Sequence, residues 1–354
     1  MFMEKILSVL FALCILLEIA KAASEPSDIP HTRHFFHVGG DYVSDGNGGH
    51  YFANQSYVEK LTPASSTTKP YPLVFIHGIG QTGTNWLTEP DGNPGWSSYF
   101  LSHGYIIYLL DQPSHGRSPF LGPPINNYTH VTPLSAEVIA SRFTTPELDS
   151  SYPRAEPHTQ WPGGPGSGVQ GHPAFDAYFA ATVPSAVANI PQQTAVRAAG
   201  AALLDRIGGR RRPPFVEPAL NGKVPARAWE MTDIPMSYEP AVADPAIDLV
   251  LTVTRANSTD EEDCWVQAES PVPRQLVNLK GIIRSLVVTA EASWHVLYDW
   301  CSVKFLRQAG VETDQVSLAD VGVNGNGHML FLEMNSDESA RVVADWIEGI
   351  NPRG

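Results

Sequence analysis

Between Leu73 and Gly83 the chain reads Leu-Val-Phe-Ile-His-Gly-Ile-Gly-Gln-Thr-Gly, an apolar strand running into a glycine-rich turn. Glycines at Gly78 and Gly80, on either side of Ile79, let backbone N–H groups turn inward toward the oxyanion that forms during acyl transfer. Near the other end, Gly325-Asn326-Gly327-His328-Met329 presents a histidine in a glycine-rich loop just before a helix. Acyl transfer of this kind also needs a nucleophile, a serine on a sharp strand-to-helix turn flanked by small residues. No such turn stands between the two segments.

The chain as a whole narrows the setting. Residues 1–22 read as an export signal: Lys5 carries the charge, Ile6 to Leu17 the apolar run, and Ala20-Lys21-Ala22 a small-x-small cleavage site. That run is short for a bilayer span, so residues 23–354 are expected to be secreted as one folded domain with no membrane contact after cleavage. Asn54, Asn127 and Asn257 begin Asn-x-Ser/Thr sequons in polar, loop-like contexts, as glycosylation of a secreted protein requires. Cys14 leaves with the signal. Cys264 and Cys301 remain, and a disulfide between them or two separate buried thiols are both open. The net charge of −14 argues against nucleic acid or an anionic membrane as partner, and Arg210-Arg211-Arg212 is too short to reverse this.

The elements that must position the two loops follow from patterning. Residues 35–62 suggest an edge hairpin around Asp45-Gly46-Asn47-Gly48. Tyr71–His77 and Tyr105–Asp111 have the unbroken apolar character of strands buried on both faces, with a helix over Trp96–His103 between them. Alternation of this type indicates an α/β fold with a mainly parallel central sheet and crossover helices. Pro119–Thr182 is irregular and rich in proline and glycine, yet Phe143, Trp161, Phe175, Tyr178 and Phe179 give it apolar anchors, so a packed cap over about residues 119–182 is expected. Val183–Ile207 reads as a helix with Ala195, Ala198, Ala199, Ala202, Leu203 and Ile207 on one face. A strand over Ile282–Thr289, a helix over Tyr298–Ala309, a strand over Gln315–Val323 and a helix over Ser336–Gly349 complete the chain, the last capped by Ser336 or Asp337.

Four motifs in order carry a resemblance to a known family. They are His77-Gly78-Ile79-Gly80-Gln81-Thr82-Gly83-Thr84-Asn85-Trp86, Asp111-Gln112-Pro113-Ser114-His115-Gly116-Arg117-Ser118, Met231-Thr232-Asp233-Ile234-Pro235 within Trp229–Pro240, and Gly325-Asn326-Gly327-His328-Met329. Over most of residues 33–350 the chain resembles α/β-hydrolases, and among them a group of bacterial and fungal secreted esterases. The resemblance implies a carboxylic-ester hydrolase of the Ser-His-acid type with no cofactor, acting on a small-molecule ester. It implies His328 as general base, taking the nucleophile's proton and returning it to the leaving group. For the acid it points to Glu217, in Phe215-Val216-Glu217-Pro218, with Glu291 and Asp299 as rivals. His115 and His295 lack a comparable placement. His31, His34 and His37 match no zinc spacing, so no metal is expected.

By the family's order the nucleophilic serine follows the helix that ends at Ile207 and precedes the acid. A strand, the serine turn, a helix and a further strand need on the order of 25–30 residues. Only Gly208-Gly209-Arg210-Arg211-Arg212-Pro213-Pro214 separates Ile207 from Phe215. Ser114 is a weak substitute, because the chain after it enters the cap and not a helix, and Ser167 has no strand before it. The segment looks excised, through a faulty gene model or alternative splicing. A catalytically dead protein binding an apolar ligand under its cap, or a product that folds poorly, are the other readings.

Overall fold

The structure, a computed structural model, describes residues 28–350 apart from 66, 127–129, 132, 151, 187–189, 209–226 and 282–283. The leader, Asn127, Glu217 and the junction from Gly209 onward therefore lie outside the described residues. Four strands form the first sheet: β1 (His31–Ser44), β2 (His50–Pro63), β3 (Leu73–Ile76) and β4 (Ile107–Asp111), in the order β1-β2-β4-β3. The β1–β2 and β2–β4 pairs are antiparallel and only β3–β4 is parallel. A separate antiparallel pair joins β5 (Leu251–Thr254) to β6 (Cys264–Gln267). A separate parallel pair joins β7 (Ser285–Thr289) to β8 (Thr313–Ser317).

The expected mainly parallel sheet is thus, among the described residues, a mixed sheet and a detached parallel pair. β4 fits its apolar sequence, with all five residues buried. β3 does not, although its sequence is as apolar. It is half-buried, and the Ile76 side chain is 46% exposed, because β4 is its one partner among the described residues. β7 is half-buried over four of its five residues for the matching reason, having β8 alone beside it among the described residues. Among those residues neither strand is enclosed on both sides.

Among the described residues, the helices of seven residues or more are α1 (Trp96–Ser102), α2 (Pro173–Ala180), α3 (Ile190–Ile207), α4 (Asp299–Gln308) and α5 (Ser336–Ile350). α3 begins seven residues later than its composition suggested, with Pro191 in its first turn, where a missing N–H is tolerated. Ala195, Ala199 and Leu203 bury its inner face, while Ala198 is exposed. Its Ala199 backbone lies so close to β1 that a Cβ on Gly39 would stand 2.9 Å from it. β8 stops at Ser317 because Ala319–Val321 turns into a short 3-10 helix. Ser336 is the first residue of α5, and its hydroxyl donates to Glu89. α5 spans both sheets: Ala340 and Ala344 pack with Trp96, Phe100 and Leu109, and Val342 packs with Ala290, Leu318 and Val323.

The cap residues fold onto this frame. Phe143, Trp161, Phe175, Tyr178 and Phe179 share one apolar cluster with Met329 and Leu332, directly beside His328. Asn54, expected in a loop, instead sits within β2 at a kink where it and Gly40 both take left-handed backbone (φ 66° and +79°). Asn257 is exposed in the loop after β5. Cys264 of β6 and Cys301 of α4 form a disulfide with 5.4 Å between their Cα atoms, inside a core shared with Trp229 and Tyr238.

The Asp111 motif is scaffolding. Asp111 is fully buried at the end of β4 and receives Arg117 through Nε (2.8 Å) and Nη2 (3.0 Å), together with the N–H groups of Gly83 (2.8 Å) and Arg117 (3.0 Å). Burial pushes its carboxyl up, but those hydrogen bonds outweigh it and hold the pKa below the usual range. Arg117 continues to Glu59 at 2.5 Å. Gln112 clamps the preceding strand, donating from its backbone to His77 Nε2 (3.0 Å) and from its amide to His77 O (2.5 Å). Removing one partner of such a buried pair leaves the other uncompensated. Asp111→Asn should therefore lower stability by about 3–5 kcal/mol, read from the denaturant midpoint. A loss below about 1 kcal/mol, the surface-pair range, would contradict this role.

Candidate active site

The glycine turn leaves β3 at its C-terminal end. His77 is buried and, through Nδ1, donates to Gly78 O (2.7 Å) while its Nε2 accepts from Gln112. Burial first, then the neighbouring His115, lower its pKa to about 4, so it is a neutral brace for the turn. Gly80 takes left-handed backbone (φ +72°) and its carbonyl accepts from Val183 N–H (2.8 Å). The N–H groups of Gly78, Ile79 and Gly80 donate to no other group among the described residues. A Cβ on Gly78 would meet nothing within 4 Å, and the Ile79 side chain is exposed. The side of the turn that a Cβ on Gly78 would occupy is open among the described residues. Asp111, through Gly83, fixes the far end of the same turn.

His328 leaves the chain after β8, between Gly327 and Met329. Its ring stacks on His295 (centroids 4.2 Å apart, planes 26° apart), with Trp294 at 5.7 Å and Phe143 of the cap at 5.6 Å. Ser293 Oγ stands 3.4 Å from His328 Nδ1, a contact at the limit of a hydrogen bond, and accepts from His295 N–H (3.1 Å). Burial first, then His295, hold the His328 pKa well below its usual value. The ring is therefore neutral near pH 7 and has a lone pair with which to take a proton.

The rival acids are engaged elsewhere. Glu291 Oε2 accepts from Gly325 N–H (2.8 Å) and so secures the start of the histidine loop. Asp299 accepts from the Thr289 hydroxyl (2.8 Å) and pairs with His295 Nδ1 (3.2 Å). Ser114 has left-handed backbone (φ 65°) and is buried, but its Oγ has no hydrogen-bond partner among the described residues, so no base reaches it. The Ser167 hydroxyl donates to the carbonyls of Pro162 (3.0 Å) and Gly164 (2.5 Å), closing its own turn. Among the described residues no group of three or more His, Cys, Asp or Glu side chains could hold a metal ion.

Sequence reasoning set His295 aside and noted Ser293 only as standing near the expected acid position, and the structure brings both to His328. So does a buried cluster behind the loop. His158 lies between Glu147 (Nδ1 to Oε2, 2.8 Å) and Glu333 (Nε2 to Oε1, 2.9 Å). Burial alone would lower its pKa, but the two carboxylates outweigh this and raise it to about 9. Burial pushes Glu147 up, yet hydrogen bonds from His158, Thr145 and Gly166 bring it to about 2.

The solved bacterial esterase known at atomic resolution matches 93% of this chain and 100% of its own with a TM-score of 0.58 at 22% identity. The chain thus shares the fold of that protein. No protein-family model matches the chain. The probable secreted lipase phiG of Fungal sp. (strain ATCC 74256) is 38% identical over 380 aligned positions, spanning 98% of this chain and 99% of the relative. The chain belongs to that lipase and esterase family of hydrolases and, like the relative, is secreted. Since 98% of 354 residues is about 347, some 33 of the 380 aligned positions (380 minus 347) are residues of the relative with no counterpart here.

The signs of the shifts give a pH test. The raised pKa of His158 contributes stability in full below its usual 6.5, and that contribution is lost as pH rises through about 9. The lowered pKa of Glu147 contributes in full above 4.5 and is lost as pH falls toward about 2. Glu89 and Glu230, raised by burial to about 7 and about 8, weaken the fold over the upper range as well, but equally with or without His158. The Tm gap between the wild type and His158→Gln should therefore narrow above pH 6.5 and close near pH 9. A gap that stays constant across that range would contradict the assignment.

Proposed function

We propose that this chain is the scaffold of a secreted carboxylic-ester hydrolase of the Ser-His-Glu type, inactive as written because its nucleophile segment is missing between Ile207 and Phe215. In this reading Gly78, Ile79 and Gly80 supply oxyanion donors, His328 is the general base, and Glu217 orients it. A serine placed before the base would lose its proton to His328 as it attacked the ester carbonyl. The developing negative charge would fall on the inward N–H groups, and His328 would return the proton to the leaving alcohol. Without the serine's turn the site loses the nucleophile and also the N–H following it, the second oxyanion donor.

One observation carries this reading: β3 and β7, both parallel strands with apolar sequences, each have one partner and an open face among the described residues. Two strands between them would close both. The roughly 33 unmatched positions of the relative agree in size with a strand, a serine turn, a helix and a second strand. The flanks of the junction are well held. Gln193 of α3, before it, exchanges hydrogen bonds with Asp233 after it (2.6 and 2.9 Å). Aromatic walls at Phe143 and Trp294 suit an apolar acyl or alcohol group. The same walls support a second reading, a hydrolase-like protein that binds an apolar ligand without turnover.

The chain as written should neither hydrolyse short p-nitrophenyl esters nor take up a fluorophosphonate probe. A version carrying the relative's unmatched residues at the junction should be labelled once, on a serine of the insert. Stoichiometric labelling of Ser114, Ser293 or any other serine of the chain as written would refute the proposal.

A further inference from the structure

The carboxylate that holds the His328 loop from behind, Glu333, is itself held by one imidazole. His158 belongs to the cap, its side chain is 1% exposed, and both ring nitrogens face carboxylate oxygens. A neutral ring donates from one nitrogen only, so an arrangement with acceptors on both sides is satisfied by the cation. On the loop side, Glu333 is fully buried. Its two oxygens accept from Gly327 N–H (2.9 and 3.1 Å), and Oε2 accepts from the Asn326 amide (2.8 Å). On the cap side, Glu147 Oε1 accepts from Gly166 N–H and the Thr145 hydroxyl, each at 2.7 Å.

The glycines of the motif fit this clamp. A Cβ on Gly327 would stand 3.0 Å from both Glu333 Oε1 and the His158 ring. Gly325 has left-handed backbone (φ +77°), a Cβ there would stand 2.1 Å from Thr159 Oγ1, and its carbonyl accepts from Thr159 N–H (2.9 Å). The residues on both sides of Asn326 are therefore pressed against cap residues 158 and 159. His328 follows at once.

We propose that His158 is a positioning residue: held between Glu147 of the cap and Glu333 behind the loop, it docks the cap on the Gly325–Met329 segment and so sets the place of the His328 ring. The inference rests on the reading of His328 as the general base, but it concerns the loop and not the chemistry.

Hydrogen exchange of the full secreted chain, followed by mass spectrometry, tests it without turnover. Glu333→Gln removes the charge behind the loop, and Glu147→Gln removes only the cap's charge while leaving the His158–Glu333 pair intact. In either variant residues 324–330 and 143–168 should exchange together, about ten-fold faster or more, while residues 229–276 keep the wild-type rate. Where Glu333→Gln does not fold, the milder Glu147→Gln decides. Exchange of 324–330 within about two-fold of wild type, or acceleration spread equally over 229–276, overturns the proposal. In the wild type, nitrogen NMR at pH 8 should show both His158 ring nitrogens protonated, and a neutral ring overturns it as well. An error in the role of His328 would leave these readings unmoved, so the two assignments fail separately.

Discussion

A parallel strand in the interior of an α/β sheet has two neighbours, because alternate residues aim their N–H and C=O groups to opposite sides. β3 meets this condition on one side. Leu73 donates to Ile106 O at 2.9 Å, which directs Leu73 and Phe75 toward β4 and turns Val74 and Ile76 to the other edge. There the sheet ends among the described residues, and the next parallel pair, β7 and β8, stands apart with its own open side. Ile76 and Ile79 are exposed in a segment whose composition belongs in a core, and a Cβ on Gly78 would meet no described residue within 4 Å.

The parts that flank the interruption are nonetheless built with care. Asp111 and Gln112 grip the glycine turn from β4, and Glu291 and Glu333 grip the histidine loop, with His158 paired to Glu333. α5 binds the two sheets into one frame through apolar contacts on both. On the cap side, Tyr178 packs in the cluster that holds Met329 beside His328. Long-range ties at Gln193–Asp233 and across α5 also explain how the outer frame holds its arrangement around the opening.

The glycine-rich loops were legible in the sequence because their geometry demands residues of a distinctive type. Left-handed backbone at Gly80 and Gly325 and close approach at Gly83 and Gly327 leave a visible signature. The apolar runs of β3 and β4 were likewise legible as strands. What could not be read was the burial of β3, since the run of Leu73–Ile76 reports the sheet it is made for and not the neighbours present. The His158 cluster was invisible for another reason. Its hydrogen bonds join residues 11 and 175 positions apart, and no local pattern marks three polar side chains that meet only through packing of the cap. His295 was passed over because its value lies in stacking on His328, a contact that placement along the chain does not reveal.

The open edge of β3 is the central claim, and exchange at single amides measures it most directly. In the secreted chain as written, Val74 and Ile76 should exchange as unpaired amides while Leu73 and Phe75 are protected by β4. Protection of Val74 and Ile76 equal to that of Leu73 would mean that the edge already has a partner, and the account of a missing central segment would be wrong.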